Sequence, residues 1–274
     1  MNREEEIVDW SKIKTIFILT FLVLDIYLMY EFFKVKDSSQ YEYVTETSFE
    51  KRLIADEIQF GELPKNHLKD MYLSAKPKNF NSEVSEELKV SILKGQKVKV
   101  NDGTVLESVL DEPYEVGEKG DLAELNTFIK NNVLYGDHYR FWKKEGNVAI
   151  YYQQFRDKVF YKNASGELTI YFNDENDIVS YRQTLLAEIE ELSEEEKIIQ
   201  PMKAIETLYK NGSLRPKSKI TNVELGYFTF VDTSTSQVLT PAWRFVINDE
   251  ENIFVHAFEG QIIQLNNEKK NKVE

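Results

Sequence analysis

No cysteine occurs among the 274 residues, and there are only 11 glycines, 6 prolines and 3 histidines. Without thiols the chain can form no disulfide, no zinc–thiolate site and no cysteine nucleophile. So few glycines leave no Gly-rich run to cradle a phosphate, and no Gly-x-Ser-x-Gly elbow is present. His67, His138 and His256 lie far apart, none of them in a metal-ligand spacing. His256 alternates with Phe254 and Phe258, the pattern of a structural imidazole on a strand. Positive charge is also scarce: 34 Lys and Arg face 47 Asp and Glu, a net −13. Such a surface repels nucleic acid. Asp174, Asn176 and Ile178 fail the calcium-loop pattern at its third ligand, and nothing singles out a carboxylate pair among the 47 acids. No catalytic, cofactor-binding or metal-binding residue is assigned, and the chain is expected not to be an enzyme.

The one long apolar run is Thr15 to Phe33, TIFILTFLVLDIYLMYEFF. As a helix its nineteen residues cover ~28 Å, close to the ~30 Å of a bilayer's hydrocarbon. A cleavable signal would end in small residues, whereas Glu31-Phe32-Phe33-Lys34 is bulky and charged. A buried core helix would show an amphipathic break, and Ile16 to Leu24 has none. A retained transmembrane helix over 13–33 is therefore expected. Arg3, Lys12 and Lys14 before it are matched by Lys34, Lys36, Lys51 and Arg52 after it, so basic charge does not orient it. Asp25 would lie ~3 Å from the bilayer centre, at a cost of ~2.5 to 3.5 kcal/mol. A pure tether does not need it. Helical spacing sets Ile18, Phe21, Asp25, Leu28 and Phe32 on one stripe, and Glu31 on another with Thr20, Leu24 and Tyr27. Glu31 is near enough to the end to reach headgroups. Asp25 either hydrogen-bonds within its own helix or meets a partner's transmembrane helix, since polar groups join helices where lipid offers no partner.

Beyond the helix, 13% aromatic residues supply enough apolar surface for one or two cores. Asp121 and Glu124 have capping-box spacing, and Leu122, Leu125, Phe128, Ile129 and Val133 recur helically, predicting a helix over 122–132. Strand-like segments follow at 138–144, 147–155, 167–172 and 177–186, with turns between antiparallel neighbours. A second round begins in the charged run 188–197, where Ser193 and Glu196 repeat the capping-box spacing and Glu194 to Glu196 read as a helix's negative first turn. Pro201 starts the main helix, 201–211, with Met202, Ile205, Leu208 and Tyr209 inward and Gly212 as its stop. Strands are expected at 220–231, 238–247, 252–258 and 261–265. The turn from Asn248 to Ile253 echoes the one from Asn173 to Ile178. The fold class is α+β: a transmembrane helix and then two tandem αββββ units, each a helix plus antiparallel sheet. Boundaries are a cytoplasmic tail at 1–12, units at 41–187 and 188–266, and a disordered tail at 267–274. Within 41–117 a helix is expected at Phe49 to Ile58 and strands at Met71 to Ala75, Lys97 to Val100 and Val105 to Leu110. Tyr151, Tyr152, Phe155, Phe160, Tyr161, Tyr171, Phe172 and Tyr181 outnumber what one sheet face needs. Most are expected in the core, the rest at a protein interface.

The run from Asp9-Trp10-Ser11-Lys12-Ile13-Lys14 into Phe21-Leu22-Val23-Leu24-Asp25 resembles the start of the YycI (WalI) family. Pro241-Ala242-Trp243-Arg244, followed by His256-Ala257-Phe258-Glu259-Gly260, resembles that family's closing hairpin. The closing motif is shared with related two-unit folds such as YycH and, more loosely, PepSY-type domains. Eight residues precede Asp9, more than the family's usual short start. The resemblance implies a single-pass protein of the cell membrane, N-terminus cytoplasmic and C-terminal domain extracytoplasmic. It also implies action with a YycH-like protein on the sensor histidine kinase WalK (YycG), partly through transmembrane helices. The lipid bilayer is then a partner, and a small-molecule ligand is left open. The expected function is non-catalytic regulation of this cell-wall two-component system, with Ile18, Phe21, Asp25, Leu28 and Phe32 as the partner contact. The alternative is an extracytoplasmic ligand- or peptide-binding module for which the anchor is only a tether.

Overall fold

The computed structural model describes residues 10–38, 42–65, 69–81, 92–117, 122–233 and 235–264. The chain divides into two compact units, Met1–Ile58 and Gln59–Glu274. The expected tails at 1–12 and 267–274 lie outside the described residues, apart from 10–12.

The first unit is helical. Helix α1 runs Trp10–Ser38 and α2 runs Glu42–Ala55. The apolar run does form a helix, but among the described residues no helix is long and apolar enough to cross a membrane. On α1 the side chains described are those of 14–30. Helix α2 ends three residues short of the expected Ile58. Its last turn closes by Ile58 N–H donating to the Leu53 carbonyl (2.8 Å) and Glu57 N–H to that of Ile54 (3.0 Å). Glu57 takes the left-handed φ of 58° that this double closure requires.

The second unit carries a 14-stranded sheet among the described residues. In chain order its elements are β1 (Gln59–Phe60), β2 (Lys69–Asp70), β3 (Leu73–Pro77), β4 (Gln96–Asn101), β5 (Val105–Tyr114) and α3 (Leu122–Asn132), then β6 (Tyr139–Glu145), β7 (Val148–Phe155), β8 (Lys158–Tyr161), β9 (Glu167–Phe172), β10 (Ile178–Gln183), β11 (Leu186–Glu191) and β12 (Glu196–Lys197). Helix α4 (Pro201–Lys210) precedes β13 (Lys219–Asp232), β14 (Gln237–Ile247), β15 (Glu251–His256) and β16 (Ile262–Ile263). The main path is β11-β3-β14-β13-β8-β7-β9-β10-β5-β4, while β2 and β12 pair separately. A mixed α+β body dominated by one large sheet is therefore present.

Both predicted helices form where their apolar spacing places them. On α3, Leu125, Phe128 and Ile129 are buried with Tyr151, Leu168, Ile170 and Tyr181, whereas Leu122 is exposed. On α4, Pro201 occupies the first turn and Ala204, Ile205 and Leu208 are buried. Gly212, at φ 71°, lets Ser213 N–H reach the Leu208 carbonyl at 2.9 Å and end the helix. Of the eight aromatic residues, six are buried, Phe155 is half-buried and Tyr171 is exposed, as expected for a mainly core set.

Three expectations fail. The charged run 188–197 starts no helix: Leu186–Glu191 is β11, drawn into the sheet by antiparallel pairing with β3, and Glu196 belongs to β12. Non-local backbone pairing there outweighs the local capping pattern. Strand β8 was not expected, because the β7–β8 turn is made by Arg156 and Asp157, both left-handed (φ 50° and 64°), without the usual Asn-Gly signal. The two echoing turns also differ in shape. Asn248 and Asp249 form a two-residue turn with both φ positive, whereas Asn173 closes a longer loop by accepting from Glu175 and Asp177 N–H through its side chain.

The path has one parallel joint in its middle. β8 pairs with β13 through Phe160 with Tyr227 and Tyr161 with Phe228. Next to this joint a Cβ on Gly226 would lie 2.5 Å from both the Tyr161 ring and the Val159 carbonyl oxygen. Gly226→Ala should therefore destabilise the protein by about 2 to 3 kcal/mol in urea unfolding, since neither the backbone carbonyl nor the buried ring can withdraw. Gly61→Ala, where a Cβ meets nothing within 4 Å, is the control and should stay within ~0.5 kcal/mol.

Candidate functional site

On α1 the predicted contact stripe is helical and accessible. Ile18, Phe21 and Leu28 are each more than half exposed, and Asp25 is exposed among them. The side chain of Phe32 lies outside the described residues. Phe17 and Phe21 stack at 6.5 Å, adding an aromatic ridge beside the stripe. Two of the polar side chains within the helix behave differently. Thr20 turns its hydroxyl back to the Ile16 carbonyl at 2.8 Å, which satisfies its donor within the helix. Asp25 has no such intrahelical bond, and no ion pair with a described residue involves it.

The residues that carried the closing motif have structural work in the sheet. Trp243 on β14 is fully buried and donates through Nε1 to the Ile199 carbonyl at 2.9 Å. Its neighbour Arg244 points to the other face, over the Trp142 ring at 4.1 Å, and binds Glu224 and Asn252. Glu224 also accepts from Arg140 at 2.8 Å, so one carboxylate joins β6, β13 and β14. Sequence spacing could not have shown this clamp, because Arg140 and Glu224 are 84 residues apart.

The histidines separate as their contexts suggest. His67 lies outside the described residues; His138 sits beside Asp137 at 3.9 Å at the surface. His256 is buried, with Nδ1 accepting from the N–H groups of Phe258 (3.3 Å) and Glu259 (3.2 Å). Its proton is thereby placed on Nε2, facing the Thr240 hydroxyl at 3.0 Å. The rings of Tyr72, Phe230 and Phe258 surround it at 6.0 to 6.5 Å. Burial lowers its pKa, and the Glu259 carboxylate opposes that only in part. Among the described residues no group of His, Asp and Glu is placed to hold a metal ion.

A concavity of about 560 Å³ runs between the β7–β8 turn and β11, with Phe155, Leu186 and Ile189 as apolar lining and Arg156, Asp157 and Glu188 among its charged lining. It mixes both charge signs, and the Asp137–His138 pair at 3.9 Å lies on its wall.

An apolar helix first and a mixed α+β body after it set the class; the family follows from the part of the chain beyond that helix. The family model described as YycI protein matches residues 37–258, and the chain belongs to the YycI family. That is a membrane-associated regulatory family of the WalK (YycG) two-component system, not known for enzymatic activity. No curated protein matches. Among solved structures, an uncharacterized protein from Eubacterium rectale is similar at 10% identity and TM-score 0.45, over 77% of this chain and 91% of that one. The C-terminal domain of Bacillus megaterium YpeB is similar at 9% identity and TM-score 0.40, over 68% of this chain and 97% of that one. Likeness at these TM-scores carries no argument about function.

Because the folded pKa of His256 lies below its ordinary value of 6.5, the unfolded chain takes up that proton first as pH falls. The stability linked to neutral His256 is full above about pH 6.5 and is lost progressively below it, toward the folded pKa. Chemical unfolding from pH 7.5 to 5 should show a shallower pH slope in His256→Gln than in the parent. Equal slopes would assign the titration to other groups.

Proposed function

We propose that this chain is a non-catalytic, membrane-anchored regulator of the sensor histidine kinase WalK (YycG) that acts together with a YycH-like protein. Residues 13–33 of α1 cross the membrane with the N-terminus in the cytoplasm, and the sheet-bearing part, built as tandem units at 41–187 and 188–266, lies outside the cell membrane. The stripe Ile18, Phe21, Asp25, Leu28 and Phe32 packs on transmembrane helices of the kinase complex. The observation that carries this reading is Asp25: an exposed carboxylate on an apolar helix, left without the intrahelical bond that Thr20 makes. In hydrocarbon such a group needs a partner, and a neighbouring helix supplies one.

Regulation then follows from differential affinity. A helix that binds one signalling state of the kinase more tightly than the other shifts their populations, and ~1 to 3 kcal/mol of coupling shifts them ~5- to 150-fold. One polar contact with packing on either side of it is enough for that.

Asp25→Leu should change kinase-dependent reporter output at least ~5-fold and reduce co-purification with the kinase, with the melting temperature of the sheet-bearing unit unchanged. An unaltered reporter and unaltered co-purification would remove Asp25 from the mechanism.

The second reading, a binding module on a passive tether, draws on the 560 Å³ groove. Replacing 13–33 with an unrelated transmembrane helix distinguishes the two. Loss of regulation is expected if α1 carries the contact, and retention would move the function to the sheet.

A further inference from the structure

We propose that the outer edge of β11 accepts an extended, basic segment of a partner protein as an added strand. This rests on the geometry of the second unit and does not depend on the α1 stripe.

Strand β11 ends the sheet path and pairs only with β3, so its other side is a sheet edge among the described residues. The edge is partly closed from within. At Leu186 the buried Gln153 side chain imitates a neighbouring strand: its Oε1 accepts from Leu186 N–H at 2.7 Å and its Nε2 donates to the Leu186 carbonyl at 2.8 Å. Gly166 makes room for this, since a Cβ there would approach Gln153 Oε1 at 3.0 Å and Cβ at 3.1 Å. Past Leu186 the register breaks between Ala187 and Glu190, with Glu188 left-handed at φ 47°, and among the described residues no side-chain amide caps the strand from there to Glu191. The groove between β11 and the β7–β8 turn lies along this part, with Phe155 and Ile189 as apolar contacts for alternate side chains of an incoming strand.

Charge selects the occupant. Within six residues β11 carries Glu188, Glu190 and Glu191, all exposed. Lys76 pairs with Glu188 at 2.5 Å and Arg156 with Glu191 at 2.8 Å, both between exposed side chains. Glu190, and Asp157 on the facing turn, have no ion pair among the described residues. Arg156 reaches over from that turn to Glu191, so the chain's own guanidinium takes the place that a basic side chain of an added strand would occupy. Gln153 does the same for its backbone. An acidic segment would meet Glu190 and Asp157, which have no opposing cation in an ion pair among the described residues, and would compete with Glu188 and Glu191 for Lys76 and Arg156.

The test uses the full chain in non-ionic detergent and a fluorophore-labelled peptide of alternating lysine and valine, followed by anisotropy. Saturable binding is expected, weakened at least ~10-fold by Glu188→Lys with Glu190→Lys and Glu191→Lys together, and equally by N-methylating every second peptide residue, which removes the donors a strand needs. Unchanged far-UV circular dichroism and melting temperature show that the triple variant folds. If it does not fold, Glu190→Lys alone serves, weakening binding at least ~3-fold. Four results would overturn the proposal: no saturable binding at millimolar peptide, equal binding of the N-methylated peptide, equal binding of an alternating glutamate–valine peptide, or self-association of the parent chain lost in the triple variant. The last would assign the edge to a second copy.

Discussion

The parallel pairing of β8 with β13 is the contact on which the sheet depends. Only Phe160 with Tyr227 and Tyr161 with Phe228 are in register there, yet without them the path divides between β8 and β13. Each half would then expose a new edge of unpaired backbone groups, the feature that invites aggregation. A joint this short is held largely by its side chains. Buried Asp70, on β2, accepts from the Tyr227 hydroxyl at 2.7 Å and pairs with Lys158 at 2.6 Å, so a single carboxylate grips both strands. Burial, and the Asp70 carboxylate that the Tyr227 hydroxyl faces, push the Tyr227 pKa upward and keep that hydroxyl a donor.

Further polar contacts lie around the same joint and tie the same halves. Asn163 donates to Thr229 at 2.9 Å and to Gln237 at 2.7 Å, while Gln237 donates to Ser165. Glu224 binds Arg140 from one half and Arg244 from the other. Buried polar groups cost free energy unless satisfied, and these are satisfied only when the two halves meet in this register. They therefore specify the arrangement as well as stabilise it, which plain apolar packing across a flat sheet would do less strictly.

Much of the second unit was legible because its pieces are local. The helix positions of Leu125, Phe128 and Ile129 follow from 3.6-residue spacing, and Pro201 and Gly212 bracket α4 by their backbone preferences alone. Strands β7, β9 and β14 follow from aromatic and β-branched runs. What misled was also local: Ser193 and Glu196 match a capping box, but Ser193 donates to the Glu194 carbonyl and accepts from Tyr72 N–H in a loop. Strand β8 was invisible because Arg156 and Asp157 make a turn that glycine or asparagine usually marks. Of the candidate contact residues, the helical phase of Ile18, Phe21, Asp25 and Leu28 was readable directly, since phase depends only on spacing. The groove beside β11 was not, for its walls come from β7, β11 and the turn between β7 and β8.

By itself the sequence determined the absence of thiol chemistry, the acidic surface, the apolar helix with one carboxylate on its face, and the α+β alternation of helices and strands. All of these depend on composition or on neighbours a few residues apart. Only the tertiary structure decided that β3 lies between β11 and β14, that β13 meets β8 in parallel, and that Glu224, Asp70 and Gln153 close contacts between strands far apart in the chain. The physical reason is that sheet pairing draws on backbone groups every residue possesses. Which strand becomes a neighbour is selected by the fit of distant side chains, and nearby residue types do not encode that fit.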